Sequence, residues 1–294
     1  MWFFIYNRTY KQGDIMPELP EVETIKSALQ KSIGNAHIED VWIRNNRLRE
    51  LVPNDLADKI KGTTIKGYDR RAKYIVIYLS NNLSLIWHMG MSGKILLVDE
   101  LPSELKKHDH IIIKTSNGYI IYNDPRRFGM FSYCESDKLQ EHKLFYKMGI
   151  EPFDKKLDAK FLLAKLKNKK VPIKAALLDQ EIITGIGNIY ASEALFDAKI
   201  SPLRPAYKIN ESEAARIIIS VKKILEQAIA AGGSTLRDYE KPDGNLGYFQ
   251  NKHCVYNKRG LPCPNCTCNI NKSGGIQKVV IGGRSTFYCP QKQK

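Results

Sequence analysis

The stretch Ile111-Ile-Ile-Lys-Thr-Ser-Asn-Gly-Tyr-Ile-Ile-Tyr122 holds two β-branched and aromatic runs joined through Asn117-Gly118. Asn-Gly between such runs is the strongest short-range signal for a β-hairpin, because both residues tolerate the backbone angles of a tight reversal. Working outward, the same texture extends from about residue 38 to 133, with further runs at Tyr74–Leu79, Leu83–His88 and Lys94–Val98. Many short strands punctuated by turn signals predict a sandwich or barrel. Before them, Val22, Ile25, Leu29 and Ile33 recur at helical spacing, which predicts a helix over 20–33 ended by Gly34.

After the strands, the polar segment 147–158 breaks the pattern, so a domain boundary is expected there. Residues 159–232 read as helical. The best-marked helix starts at Asn210, with Glu213 completing a capping box, and carries its apolar stripe on Ile217, Ile218, Val221, Ile224, Leu225, Ala228 and Ile229. Gly232-Gly233 stops it, and a basic, Gly/Asn-rich segment from 234 leads into a group of cysteines. The fold class is α+β. The expected units are an extension at 1–16, a β domain at 17–148, a helical domain at 149–233 and a small cysteine-bearing module at 234–294.

The 294 residues are 43% hydrophobic and 26% charged, ordinary for a globular chain and unlike a disordered, collagenous or membrane-bundle one. The net charge of +15 is uneven. Between Lys241 and Lys294 nine Lys/Arg face a single acid, Asp243, which leaves +8 in the last 54 residues. Such segregation favours a polyanionic partner, nucleic acid before a membrane surface. The apolar start Met1-Trp-Phe-Phe-Ile-Tyr6 is too short for a signal peptide and no stretch approaches a membrane span, so the protein reads as cytoplasmic.

Several short segments carry chemistry beside a plain structural reading. Met16-Pro17-Glu18-Leu19-Pro20-Glu21 is a routine helix start. If Met16 is the initiator, its removal instead exposes Pro17 as a secondary amine able to attack an electrophilic carbon, with Glu18 beside it to shuttle a proton. In Thr184-Gly-Ile-Gly-Asn-Ile-Tyr-Ala-Ser-Glu193 the glycines permit a tight turn and Asn188 is a natural N-cap for a helix to Ala198. That helix start either holds a phosphate or simply packs. Cys263-x-x-Cys266 and Cys289 suggest zinc, but the second knuckle reads Cys289-Pro-Gln-Lys292, so Cys268 would have to complete a four-thiolate set. The alternative is a hairpin held by packing alone. Arg70-Arg71-Ala72-Lys73-Tyr74 reads as a solvated strand end, and Met91 in His88-Met-Gly-Met-Ser-Gly93 as ordinary core packing. In Asp124-Pro-Arg-Arg-Phe-Gly129 an aromatic beside arginines on a turn suits a wedge into a base stack, or a turn with a salt bridge.

Together these segments, with Lys107-His-Asp-His110 and Gly283-Arg-Ser-Thr-Phe-Tyr-Cys289, closely resemble the bacterial formamidopyrimidine-DNA glycosylases over about residues 17–290. Leu19 favours this family over the related endonuclease VIII group. The resemblance implies an N-terminal β-sandwich, a helix–two-turn–helix domain and a C-terminal zinc-finger-like hairpin, with damaged double-stranded DNA in the cleft between domains. It implies that Pro17 attacks C1′ of the damaged nucleotide and Glu18 donates the proton. Lys73 would serve β-elimination and phosphate binding. Arg284 would grip the phosphates and assist δ-elimination. Met91, Arg126 and Phe128 would fill the gap left by the flipped base, and His108, Lys170 and Asn188 would contact DNA further out. A loop at about 235–249 would close over the lesion. One structural zinc on Cys263, Cys266, Cys289 and Cys268 is expected, in a monomer without membrane contact.

Two features depart from the family pattern. Fifteen residues precede Met16, and while they remain, Pro17 nitrogen is a tertiary amide with no nucleophilic lone pair. The stretch Lys11-Gln-Gly-Asp-Ile15 can be back-translated to contain AAGGAG, the form of a bacterial ribosome-binding site, so a start at Met16 is expected. The second departure is Lys292 in place of a fourth cysteine. The readings that compete are a glycosylase/lyase acting on oxidised purines, one acting on oxidised pyrimidines, and a non-catalytic lesion-binding protein with Pro17 capped.

Overall fold

The computed structural model describes residues 17–234, 248–265 and 267–294. The extension 1–16, most of the expected lesion-covering loop and Cys266 lie outside the described residues. Helix α1 (Leu19–Ser32) comes first, followed by β1 (Ile38–Ile43), the short α2 (Leu56–Ile60) and β2 (Ile65–Arg71). Then come β3 (Tyr74–Leu79), β4 (Leu83–His88), β5 (Lys94–Val98), β6 (Asp109–Thr115), β7 (Gly118–Asn123) and β8 (Met130–Glu135). They form two four-stranded antiparallel sheets in the orders β1-β6-β7-β5 and β2-β3-β4-β8.

The sheets face each other across a core to which β6 contributes Ile111 and Ile113, β3 Ile75 and Ile77, and β4 Leu85 and Trp87. Burying each such side chain contributes about 1.5–3 kcal/mol. The run at 74–79 reads as continuously apolar because both its faces are covered. Val76 and Ile86 point away from the sandwich and pack against Leu139 and Phe145. The β6–β7 hairpin forms, but Thr115 pairs with Gly118, so Ser116 and Asn117 are the loop residues. Asn117 donates its side-chain amide to the Ile33 carbonyl at 2.9 Å, tying the hairpin to the end of α1.

Four helices follow: α3 (Ala159–Leu166), α4 (Ile173–Leu177), α5 (Asn188–Asp197) and α6 (Glu211–Ala230). The Asn210–Glu213 capping box is present, and the expected stripe of α6 is buried apart from the half-buried Ile229. At α5 the expectation is corrected: Gly187 is the N-cap and Asn188 is the first helical residue, its side chain engaged elsewhere. The short α7 (Ile270–Ser273) precedes the hairpin of β9 (Gln277–Ile281) and β10 (Arg284–Tyr288). No helix among the described residues is long and apolar enough to cross a membrane.

Helix α1 and an arginine pair both join the sandwich to the helices. Leu19 sits in the helical core while Val22, Ile25 and Leu29 of the same helix sit in the sandwich core. Arg70 and Arg71 are not a solvated strand end. Both guanidinium groups bind Glu151 at 2.8–2.9 Å, and Glu151 also accepts the Ala72 amide at 2.7 Å. The turn that carries Lys73 is thereby pinned to the segment entering the helical part.

Candidate active site

Pro17 is buried and leads directly into α1. Glu18, only 4% exposed, lies against the start of α5, where its Oε1 accepts the Ile189 amide at 3.2 Å. That approach requires glycine at 187: a Cβ there would stand 2.0 Å from the Glu18 carboxyl carbon. Burial pushes the Glu18 carboxyl up to about 7, against the opposing pull of Lys73 and the helix-start amides, with Glu21 adding to the rise. Its Oε2 is buried without a hydrogen-bond partner among the described residues. A carboxyl in that state holds a proton near neutral pH and can give it up, as a general acid must.

Glu21 holds this arrangement in place. Its Oε2 accepts the Glu18 amide at 2.9 Å, and its Oε1 accepts both the Tyr190 hydroxyl and the Ser234 amide. Burial raises the Glu21 carboxyl above its ordinary range. Ser234 in turn bonds the buried His253 at 3.1 Å. One carboxyl thus links the start of α1, α5 and Ser234.

Lys73 sits after Ala72, whose φ of 54° makes the tight β2–β3 reversal. Its ammonium is held below the usual lysine range, chiefly by burial and also by Arg284, while Glu18 and Glu21 oppose the shift. Beside it, His88 is pushed down to about 4 by burial and by the charges of Lys73 and Arg49. The His88 Nδ1 accepts the Gly90 amide at 2.9 Å, so the neutral ring keeps its proton on Nε2.

The third side is built around Lys174, which is fully buried. Its three ammonium protons are used on Asn188 Oδ1 at 2.7 Å, Thr286 Oγ1 at 2.8 Å and the Ser285 carbonyl at 3.2 Å. Asn188 also donates to the Ser285 carbonyl at 2.9 Å. These bonds seat β10 on α5 and leave Arg284, the first residue of β10, exposed. Burial lowers the Lys174 ammonium to about 7.

A cavity of about 450 Å³ opens where the three sides meet. Arg49, Lys73, Tyr74 and His88 line it from the sandwich, Gly187 from the helical part and Arg284 from the hairpin. Four cations counting Lys147 on its wall suit a phosphate-bearing ligand.

The loop after β4 and the loop before β8 form one structure. A Cβ on Gly90 would lie 2.3 Å from the Phe128 carbonyl carbon, so the two backbones touch. The fully buried Asp124 accepts from Ser92 Oγ at 2.5 Å, the Gly129 amide at 2.8 Å and the Tyr122 hydroxyl at 3.0 Å. The Arg126 guanidinium stacks 4.9 Å from the Phe128 ring centroid, and Phe128 is 44% exposed. Met91 is half-buried on the adjoining loop rather than in the core, and His108 lies half-buried before β6. Lys170 is exposed and stands apart from the hydrogen bonds of Lys174 and Asn188.

This arrangement has known counterparts. The family model for the formamidopyrimidine-DNA glycosylase N-terminal domain matches residues 16–131, and that for the formamidopyrimidine-DNA glycosylase H2TH domain matches residues 148–240. The formamidopyrimidine-DNA glycosylase of Rhodospirillum rubrum is 43% identical over 282 residues, covering 95% of this chain and all of the relative. The chain belongs to the formamidopyrimidine-DNA glycosylase family. Among solved members, a mutant of the Lactococcus lactis Fpg in complex with Fapy-dG-containing DNA is similar, with TM-score 0.86 and 35% identity over 95% of this chain and all of that one. The Lactococcus lactis Fpg bound to DNA containing an abasic site gives TM-score 0.85 at 34% identity, over the same shares.

Within this glycosylase framework, the sequence reading missed Lys174, Glu21, His88 and Arg49. A usable signal existed for Lys174: it stands among Ile173, Ala176 and Leu177, a lysine in an otherwise apolar helix. Of the expected zinc ligands, Cys263 and Cys289 are buried with Phe196, Val255, Ile276 and Phe287, and Cys268 lies at the edge of that cluster. No three His, Cys, Asp or Glu side chains among the described residues group so as to hold a metal ion. At the fourth position Lys292 offers an ammonium, which has no lone pair for an ion. With Cys268 as substitute, the set Cys263, Cys266, Cys268 and Cys289 supplies four thiols, donors of the kind that structural zinc takes. The family's finger remains recognisable as a cysteine-bearing hairpin.

Proposed function

We propose that this chain excises oxidised purines, 8-oxoguanine and formamidopyrimidines, from duplex DNA and then cleaves the strand, with Pro17 as nucleophile. The observation that carries the reading is Glu18, a carboxyl with its pKa raised to about 7, buried next to Pro17 behind the wall of the cationic cavity. The family model begins its match at residue 16, which supports an active form that starts at Pro17. Its secondary amine then titrates well below a lysine and carries a free lone pair for part of the time at neutral pH.

The duplex hides the glycosidic carbon, so the damaged nucleotide must leave the stack. Met91, Arg126 and Phe128 supply the filling side chains from one rigid double loop. Arg284 and Lys73 hold phosphate, with His108, Lys170 and Asn188 as further DNA contacts. Pro17 nitrogen attacks C1′, the bond to the base breaks, and Glu18 supplies a proton as the sugar ring opens to an iminium. The iminium acidifies the C2′ proton. Its removal expels the 3′ phosphate in β-elimination, and a second elimination releases the 5′ phosphate. Water finally hydrolyses the imine and frees the amine. Residues 17–148 provide the chemistry, 149–233 the helical half of the cleft and 234–294 the phosphate-gripping hairpin, all within one chain acting as a monomer.

The test is borohydride trapping on a duplex carrying 8-oxoguanine, with the full chain and a chain starting at Pro17 compared side by side. The shorter chain is expected to form a covalent adduct that Pro17→Gly diminishes and N-acetylation abolishes. A shorter chain that binds the lesion but is never trapped would overturn the reading in favour of a non-catalytic lesion binder.

A further inference from the structure

Helix α3 buries Leu162 and Leu166 in the helical core, while Lys160, Leu163, Ala164 and Lys167 recur at helical spacing along a more exposed face. Opposite that face stands the single turn Ala206–Lys208, laced to the segment after α3. The Ala206 amide donates to the Val171 carbonyl at 2.9 Å and the Tyr207 amide to the Lys169 carbonyl at 3.1 Å. Between helix and turn lies a groove of about 300 Å³ whose apolar wall is Leu163, Leu166, Ala206 and Ile209. Lys167 and Tyr207 line it as well, both at exposed positions. No residue of this groove lines the cationic cavity of the active site, so the two are separate features.

The groove is surrounded by charge of one sign. Residues 159–170 hold five lysines and no acid, and residues 203–210 hold Arg204 and Lys208 and no acid. Lys169 pairs with Asp179 at 2.7 Å and Arg204 with Glu213. The exposed Lys160, Lys167 and Lys208 pair with no carboxylate among the described residues. The Lys208 ammonium stands 5.9 Å from the Tyr207 ring centroid, which places charge and ring side by side. Tyr207 and Val171 are each nearly half exposed. Duplex DNA offers phosphates to such lysines, but its bases are paired and stacked and leave no apolar side chain for the slot between them. An acidic polypeptide offers both. Its carboxylates suit the lysines and one large apolar side chain suits the groove, in a small interface of the kind transient partners use.

We propose that the groove between α3 and the Ala206–Lys208 turn is a docking site for an acidic protein segment that carries an aromatic side chain. Lys160, Lys167 and Lys208 meet its carboxylates, and the ring lies against Leu163, Ala164 and Ile209. The site is independent of the catalytic reading, since it is tested by binding and not by strand cleavage. The full chain is titrated into a fluorescein-labelled acidic peptide with one central phenylalanine, read by fluorescence anisotropy at low salt. A Kd on the order of tens of micromolar is expected, rising about tenfold when serine replaces the phenylalanine. Lys160→Glu combined with Lys167→Glu should weaken binding by about tenfold or more. Ala164→Arg should weaken it too, although it adds a positive charge, because it fills the groove. Both variants change exposed positions, so Tm should stay at the wild-type value. No binding up to about 1 mM, where contacts are too weak to count as specific, would overturn the proposal. So would equal binding of the serine peptide, or tighter binding by Ala164→Arg. Displacement by an undamaged duplex, with the groove variants binding the peptide like wild type, would put the peptide in the cationic cavity and sink the idea. If the double lysine variant loses affinity for undamaged duplex as steeply as for the peptide, the lysines belong to a DNA track and the proposal fails. Should the charge reversal lower Tm, the two peptides compared on the wild-type chain still decide.

Discussion

Glu18→Gln should make the protein more stable while disabling it. The carboxyl has an ordinary value of 4.5 and is raised to about 7 by burial in the folded chain. At about 1.36 kcal/mol per unit, keeping Glu18 ionised well above pH 7 costs the fold about 3 kcal/mol. The sign follows from proton binding. Between the two values the folded chain holds a proton that the unfolded chain has lost, so this group's contribution is full below about 4.5 and disappears as pH rises through about 7. Glutamine cannot ionise, and its carbonyl still accepts the Ile189 amide. Urea unfolding of both proteins from about pH 5 to pH 8.5 is the assay. The variant is expected to lead by about 1 kcal/mol at pH 5 and by about 3 kcal/mol at pH 8. Base excision should fall by about 10²–10⁴, the usual worth of a positioned acid. A variant no more stable than wild type at pH 8, or a gap that does not grow with pH, would refute the assignment of a raised carboxyl.

Three further outcomes follow from the geometry. Asp124→Ala leaves the buried Ser92, Tyr122 and Gly129 donors without their acceptor, so a loss on the order of 3 kcal/mol is expected in thermal or urea unfolding. Phe128→Ala removes a ring that is already 44% exposed, so Tm should hold while binding to a lesion duplex weakens by about 1–3 kcal/mol in a fluorescence titration. Arg284→Ala should likewise leave Tm unchanged. Its DNA affinity should fall for every sequence, and the slope of log K against log salt should shrink by about one.

Much of the fold was legible along the chain. The runs at 74–79, 83–88 and 94–98 are β3, β4 and β5 as observed, because alternation and β-branching are local properties. The Asn210–Glu213 start of α6 was equally plain, since a capping box spans only four residues. Strands β1, β2 and β8 were visible only as texture: mixed polar faces and half-burial blur their periodicity. Arg70-Arg71 looked like solvent-facing charge, and its partner Glu151 lies 80 residues away from Arg71. No local pattern reports such a pairing.

The residue types needed for amine attack, proton donation and phosphate binding could be named from short motifs, because those properties belong to the side chains themselves. How they are tuned could not. The Glu18 carboxyl is raised by everything packed around it, beside an α5 amide 171 residues on, and only at Gly187 is there room for it. Lys174 shows in the sequence only as a lysine within a short apolar helix, and its role emerges when Asn188, Ser285 and Thr286 converge on its three protons. Lys292 marks a missing ligand in the sequence, whereas in the fold its ammonium meets the carbonyl of Pro264 and the ring of Phe196. Desolvation and hydrogen-bond satisfaction are sums over neighbours in space, so the tertiary fold alone settles which polar groups are perturbed and which are merely present.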